Sequence, residues 1–108
     1  MIPKIGGTWF VDLGLAARPR WAYVVGAAPN GRLALASVLT LTTQYDGTPY
    51  EMLPRVPWLR EQSYINAQSL QPVKFSELTR KAPGQFDGSV LEGARQLIRR
   101  WLQLSAAK

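Results

Sequence analysis

The sequence predicts a mainly β fold with one α-helix: a small, strongly bent antiparallel sheet or barrel closed by a C-terminal amphipathic helix. Three observations carry this. Apolar and aromatic runs of strand length recur from Thr8 onward. Glycine, proline, Asn-Gly and Asp-Gly pairs punctuate them. Only the final stretch has helical periodicity. At 108 residues the chain makes one domain, 1–108, with a single modest core.

Gly6-Gly7 leads into a first strand over 8–13. Residues 14–20 read as a short loop broken by Pro19. Residues 21–25 (WAYVV) are apolar throughout, which fits a strand covered on both sides. The Asn30-Gly31 pair within 27–32 signals a hairpin turn, and 33–42 forms the return strand. Asp46-Gly47 marks another turn, and 50–53 a short strand. Two prolines make 54–58 a loop. Residues 59–62 suit one helical turn, and 63–69 a further strand; 73–78 is open between a strand end and a short helix. Ala82-Pro83-Gly84 is a stop.

The helix is expected over 89–104. Ser89 followed by Glu92 fits a capping box. Val90, Ala94, Leu97, Trp101 and Leu104 form one stripe, widened by Leu91, Ile98 and Leu102. Arg99 and Arg100 fall near the C-terminus, where the helix dipole favours cations. The arginines of 95–100 are expected on a solvated face.

Composition narrows the chemistry. The chain has no cysteine and no histidine, which removes disulfides, thiolate zinc sites and the commonest general base. No run approaches the length that spans a bilayer, and residues 1–7 lack the apolar segment of a signal peptide, so a cytoplasmic protein is expected. Net charge is +6, and nine of the thirteen basic residues are arginine, the residue suited to bidentate phosphate contact. Polyanions are the natural partners. Arg20 opens the WAYVV strand and Thr42 ends the run that begins at Leu33, next to Thr43 and Gln44. A guanidinium and a hydroxyl so placed in a basic chain point at RNA phosphate.

The motifs accumulate in a definite order. Trp9-Phe10-Val11-Asp12 follows a glycine; an arginine opens an apolar strand; then come Leu41-Thr42-Thr43-Gln44 and Gly47-Thr48-Pro49-Tyr50-Glu51. Over residues 6–104 the chain resembles the MazF/PemK toxin family, with Ser63-Tyr64-Ile65-Asn66-Ala67-Gln68 at the place of its later strand. The resemblance implies an SH3-like barrel and a homodimer. It implies a sequence-selective endoribonuclease of the prokaryotic cytoplasm that cuts single-stranded mRNA without metal or cofactor and is restrained by a cognate antitoxin, for which the +6 charge favours an acidic protein. Carried over by position, the catalytic arginine falls on Arg20 and the catalytic threonine on Thr42. Arg18, Thr43, Gln44, Trp58 and Gln68 are the expected RNA contacts.

The sequence also departs from the family. The family's arginine precedes a proline, and here Arg18-Pro19 stands two residues before Arg20. A two-residue shift preserves strand facing, so Arg18 is the alternative, although spacing to Thr42 favours Arg20. The loop before Arg20 is shorter than usual. An Arg-x-Asp pair found in some members is replaced by Ile65 and Ala67.

RNA brings its own nucleophile, the 2′-hydroxyl, so alignment and charge stabilisation do most of the work. Glu51 is the nearest acidic residue in a motif but is not expected as the base. Asp12 is expected to fix a loop, and Trp9, Trp21 and Trp101 to lie in the core. Trp58, in a proline-flanked loop, is the tryptophan placed to stack or meet a partner. Two other readings compete: a non-catalytic nucleic-acid-binding module on the same fold, and a CcdB-like toxin directed at gyrase. A phosphate-directed pair favours the ribonuclease.

Overall fold

The computed structural model describes residues 2–12, 20–27, 34–54 and 58–104. Residues 14–19 of the expected loop, Arg18 among them, most of the hairpin turn over 27–32, and residues 55–57 of the loop expected over 54–58 lie outside them.

Strand β1 (Thr8–Val11) pairs antiparallel with β2 (Arg20–Ala27), from Thr8 opposite Tyr23 to Val11 opposite Arg20. β2 pairs in turn with β3 (Leu35–Thr42), Ala22 opposite Thr40 and Val24 opposite Val38, with a bulge before Gly26. β3 then forks. Its first half, through Val38, pairs with β6 (Gln71–Lys74); its last two residues, Leu41 and Thr42, pair with β5 (Tyr64–Asn66). The gap is closed by a side chain: the Thr40 amide donates to Ser69 Oγ at 2.9 Å, and that hydroxyl donates to the Asn66 carbonyl at 2.6 Å. β4 (Glu51–Met52) extends β5, and β7 (Leu78–Lys81) extends β1. The path β4-β5-β3-β2-β1-β7 therefore has two ends, and the sheet is not closed.

Successive strand residues point to opposite faces, and both faces here are covered. Val11, Ala22, Val24, Ala36, Val38, Val73 and Leu78 form one core cluster. Tyr23, Leu39, Leu41 and Ile65 form the other with Phe86, Val90 and Ala94, beneath helix α1 (Gly88–Trp101). This is why WAYVV reads as unbroken apolar sequence.

Several expectations are corrected. Residues 59–62 are not helical. The strand expected over 63–69 stops at Asn66, because the Asn66 side chain accepts from the Gln68 amide and turns Ala67–Ser69 into a 3₁₀ turn. Residues 73–78 hold both alternatives: β6 ends at Lys74, and a 3₁₀ turn follows over Phe75–Glu77, tied by the Lys74 amide to Glu77 Oε1 at 2.7 Å. The helix begins at Gly88 with Asp87 as its N-cap, so Ser89 is not the cap of a capping box. The Ser89 hydroxyl donates to the Asp87 carboxylate, and Glu92 accepts from Gln96 one turn on.

The helix also ends sooner than periodicity implied. Gln103 turns left-handed at φ 57°, with its amide on the Arg100 carbonyl and the Leu104 amide on Arg99. This is a Schellman arrangement. It leaves the far end of the apolar stripe uncovered. Trp101 is 37% exposed, contrary to its expected core position, and Leu102 and Leu104 are more so. No helix among the described residues is long and apolar enough to cross a membrane.

Candidate active site

The β2–β3 register has a direct consequence. Carried two residues beyond the Ala22–Thr40 pair, it sets Arg20 across from Thr42. Val11 lies opposite Arg20 on one side, and Tyr64 opposite Thr42 on the other. Val11, Arg20, Thr42 and Tyr64 thus form one cross-strand row on a single face. Phe10, Trp21, Leu41 and Ile65 form the next row, on the opposite face. A cleft of about 260 Å³ lies at these strand ends and borders both rows; Arg20, Thr42, Thr43, Phe10, Trp21 and Ser63 line it.

Arg20 is exposed at the first position of β2, and Thr42 is half-buried at the last position of β3. Thr42 Oγ1 accepts from the Gln44 amide at 3.1 Å, which leaves its own O–H free to donate.

The segment that follows Thr42 is held by one carboxylate. The Asp46 amide donates to Glu51 Oε2 at 2.9 Å, and the Thr48 amide and hydroxyl both donate to Glu51 Oε1, at 2.6 and 2.7 Å. Gln44 Nε2 closes onto Asp46 Oδ1 at 2.6 Å. Gly47 makes the turn at φ 75°, a conformation that suits glycine. The Asp46 amide first, then the Thr48 amide and hydroxyl and the Gly47 amide, hold the Glu51 carboxyl below its ordinary range against a smaller opposing effect of desolvation. Glu51 is a loop clamp, kept ionised by the donors it gathers. Arg100 is exposed, as expected of the solvated helix face, and from there donates to the Pro49 carbonyl, tying the helix end to this loop.

The other expected RNA contacts are dispersed. Thr43 lines the cleft; Gln44 is turned to Asp46, and Gln68 is exposed in the 3₁₀ turn after β5. Trp58 does not stand out as a platform. Its indole packs edge-on to Trp21 at 5.5 Å and against Phe86 at 5.5 Å, and a Cβ on Gly84 would lie 2.3 Å from its Cδ1. It is a half-buried side chain packed against the core, with Nε1 buried.

Three residues beside the site went unremarked in the sequence. The Arg80 guanidinium lies over the rings of Phe10 and Trp21, at 5.0 and 5.4 Å from their centroids. Only the β1–β7 pairing, Phe10 opposite Arg80, brings them together. Tyr45 stacks on Tyr64 at 4.9 Å. The one local hint was an aromatic residue placed directly after Thr-Thr-Gln. A larger cavity of about 510 Å³ opens between the N-terminal segment and the start of α1, beside Ile2, Ile5, Trp9 and Phe86. It brings no arginine to a hydroxyl pair, so the smaller cleft is the better candidate for phosphate chemistry. Among the described residues, no acidic side chains gather in a group that could hold a metal ion.

No family model matches the chain, and no characterised protein matches it by sequence. Solved structures do match. A mycobacterial endoribonuclease in complex with its cognate antitoxin superposes with a TM-score of 0.77 at 18% identity, covering 97% of this chain and 99% of its own. A second mycobacterial endoribonuclease gives 0.76 at 20% identity, over 97% and 95%. MazF in a MazE–MazF crystal structure from Deinococcus radiodurans gives 0.76 at 18%, over 97% and 99%. The fold is that of the MazF endoribonucleases. A MazF fold accounts for the whole described chain, from the N-terminal strand to the closing helix, and the Arg20–Thr42 row lies near the middle of its sheet, on β2 and β3.

Proposed function

We propose that this chain is the toxin of a type II toxin–antitoxin system, a sequence-selective, metal-independent endoribonuclease that cuts single-stranded mRNA in the prokaryotic cytoplasm. The observation that carries the reading is the cleft that Arg20 and Thr42 line together, at adjoining ends of the paired strands β2 and β3, on a MazF fold. The fork at β3, where one strand serves two partners, supports the finer description of the bent sheet as an SH3-like barrel.

The chemistry follows from what each group can donate. The 2′-oxygen of RNA attacks the adjacent phosphorus, the P–O5′ bond breaks, and the proton lost from the 2′-hydroxyl is balanced by one gained at the 5′-oxygen. Negative charge builds on the non-bridging oxygens. Arg20 supplies parallel N–H donors to them. Thr42, with a lone pair engaged by the Gln44 amide, directs its O–H to the same oxygens. The cleft lining contributes no carboxylate among the described residues, so these donors act by charge stabilisation and slow turnover is expected.

The same reading includes a homodimer and an acidic antitoxin. Exposed Ile2, Ile5, Leu102 and Leu104 leave apolar surface for self-association. A net charge of +6 speeds encounter with an acidic partner.

The test is incubation with a long single-stranded RNA and mapping of the new ends. Fragments should carry a 2′,3′-cyclic phosphate or 3′-phosphate and a free 5′-hydroxyl. EDTA should leave the rate unchanged, and 2′-deoxy substitution at the cut nucleotide should abolish cleavage. RNA bound but never cut, or cleavage lost to EDTA, would overturn the proposal.

A further inference from the structure

The row Val11–Arg20–Thr42 continues across β5 to Tyr64. Tyr64 is not the end of it. Tyr45, three residues beyond Thr42, lays its ring on Tyr64, with centroids 4.9 Å apart and planes 28° apart. Tyr45 is nonetheless 61% exposed, more than any other large apolar side chain among the described residues. One ring face is spent on Tyr64, and the other is open to solvent.

An exposed aromatic on a loose loop would mean little. This loop is fixed at four points, by Gln44 to Asp46, Asp46 to Glu51, and the Thr48 amide and hydroxyl to Glu51. The ring is therefore pre-positioned, and little order has to be gained when something stacks on it. These bonds already secure the loop without the ring. A tyrosine kept solely for loop stability would gain most by burial, and this one stays out.

We infer that the Tyr45–Tyr64 stack is a nucleobase-binding platform, on which an unpaired base next to the phosphate held at Arg20 and Thr42 stacks against the open face of Tyr45. This rests on the ribonuclease reading for the identity of the phosphate. One strand spacing, ~4.8 Å, separates Thr42 from Tyr64, the ring on which Tyr45 is stacked, so the platform adjoins the phosphate-directed pair. Every base has a π-face, so such a platform is tolerant of sequence but favours the larger purine ring.

The test uses a short mixed-sequence 2′-O-methyl single-stranded oligonucleotide, which cannot be cut, with the full chain. Tyr45→Phe should bind it as the wild type does. Tyr45→Leu and Tyr45→Ala should weaken binding by roughly ten- to a hundredfold, the loss expected for one stacked base. Leu is the decisive variant, because it still packs on Tyr64 but offers no π-face. The salt dependence of binding should keep its slope in Tyr45→Leu and become shallower in Arg20→Ala, since only the latter removes a phosphate contact. Any preference for oligo-A over oligo-U should shrink in Tyr45→Leu. Wild-type affinity in Tyr45→Leu would overturn the inference, as would loss of the dimer in place of lost binding. The two readings fail separately. If the wild type binds the oligonucleotide in a Tyr45-dependent way but cuts no RNA, the platform stands and the ribonuclease falls. If RNA is cut and KM is unchanged in Tyr45→Ala, the ribonuclease stands and the platform falls.

Discussion

Gly84→Ala adds one carbon to the chain and has a calculable consequence. The new Cβ would lie 2.3 Å from Trp58 Cδ1, 2.9 Å from Nε1 and 3.0 Å from Cγ. Ordinary carbon–carbon contact is ~3.5 Å, so the nearest atom is roughly 1 Å too close. An indole is rigid, and this one is wedged between Trp21 and Phe86, at 5.5 Å from each ring. It cannot rotate away without displacing them. Overpacking of this kind costs about 1–3 kcal/mol. For a domain of this size the melting temperature should fall by about 4–8 °C per kcal/mol. Gly88→Ala is the control, since nothing lies within 4 Å of its added carbon. Thermal unfolding followed by near-ultraviolet circular dichroism measures both, because the tryptophan cluster supplies the signal. Trp21 also lines the cleft, so RNA cleavage by Gly84→Ala should show a raised KM. A melting temperature equal to wild type would refute the packing assigned to Trp58 and return it to a surface role.

Arg20→Ala and Thr42→Ala should each lower RNA cleavage by about ten- to a thousandfold, the loss expected for one positioned donor, with unfolding curves unchanged; activity lost in Arg18→Ala but kept in Arg20→Ala would mean the other arginine is the functional one. Gln103→Gly should raise stability by about 1 kcal/mol, because a left-handed backbone costs a residue with a Cβ about that much, and a lower melting temperature would count against the Schellman cap. Because the Glu51 pKa is depressed on folding, its clamp is fully formed above the ordinary carboxylate range and is lost as pH falls through the lowered folded value. Protection of the Asp46 and Thr48 amides, measured as exchange relative to their intrinsic rates at each pH, should fall over that acid range in the wild type and be low at every pH in Glu51→Gln; identical protection profiles would exclude the clamp.

The sequence alone determined the class of fold and the chemistry on offer. WAYVV fitted a strand covered on both faces, and with no cysteine or histidine the functional groups were expected to be guanidinium, hydroxyl or carboxylate. Period-two and helical patterns are local properties, so they survive in one dimension. The ends of elements did not. Asn66 stopped β5 through its own side chain, and Gln103 ended the helix in a conformation its residue type does not advertise. The site divided in the same way. Arg20 and Thr42 could be singled out because they flank recognisable strands in the order of a known family, and the fold brings them to one cleft. The contacts of Trp58 were not legible, because the prolines before it in the sequence give no sign of the Trp21, Phe86 and Gly84 surfaces that receive its ring. Arg80 on Phe10, Tyr45 on Tyr64, and the carboxylate of Glu51 beneath its loop depend on strand register and on where a chain bends back. Register is fixed by which apolar residues must share a face across several strands at once, and no single stretch of sequence contains that information.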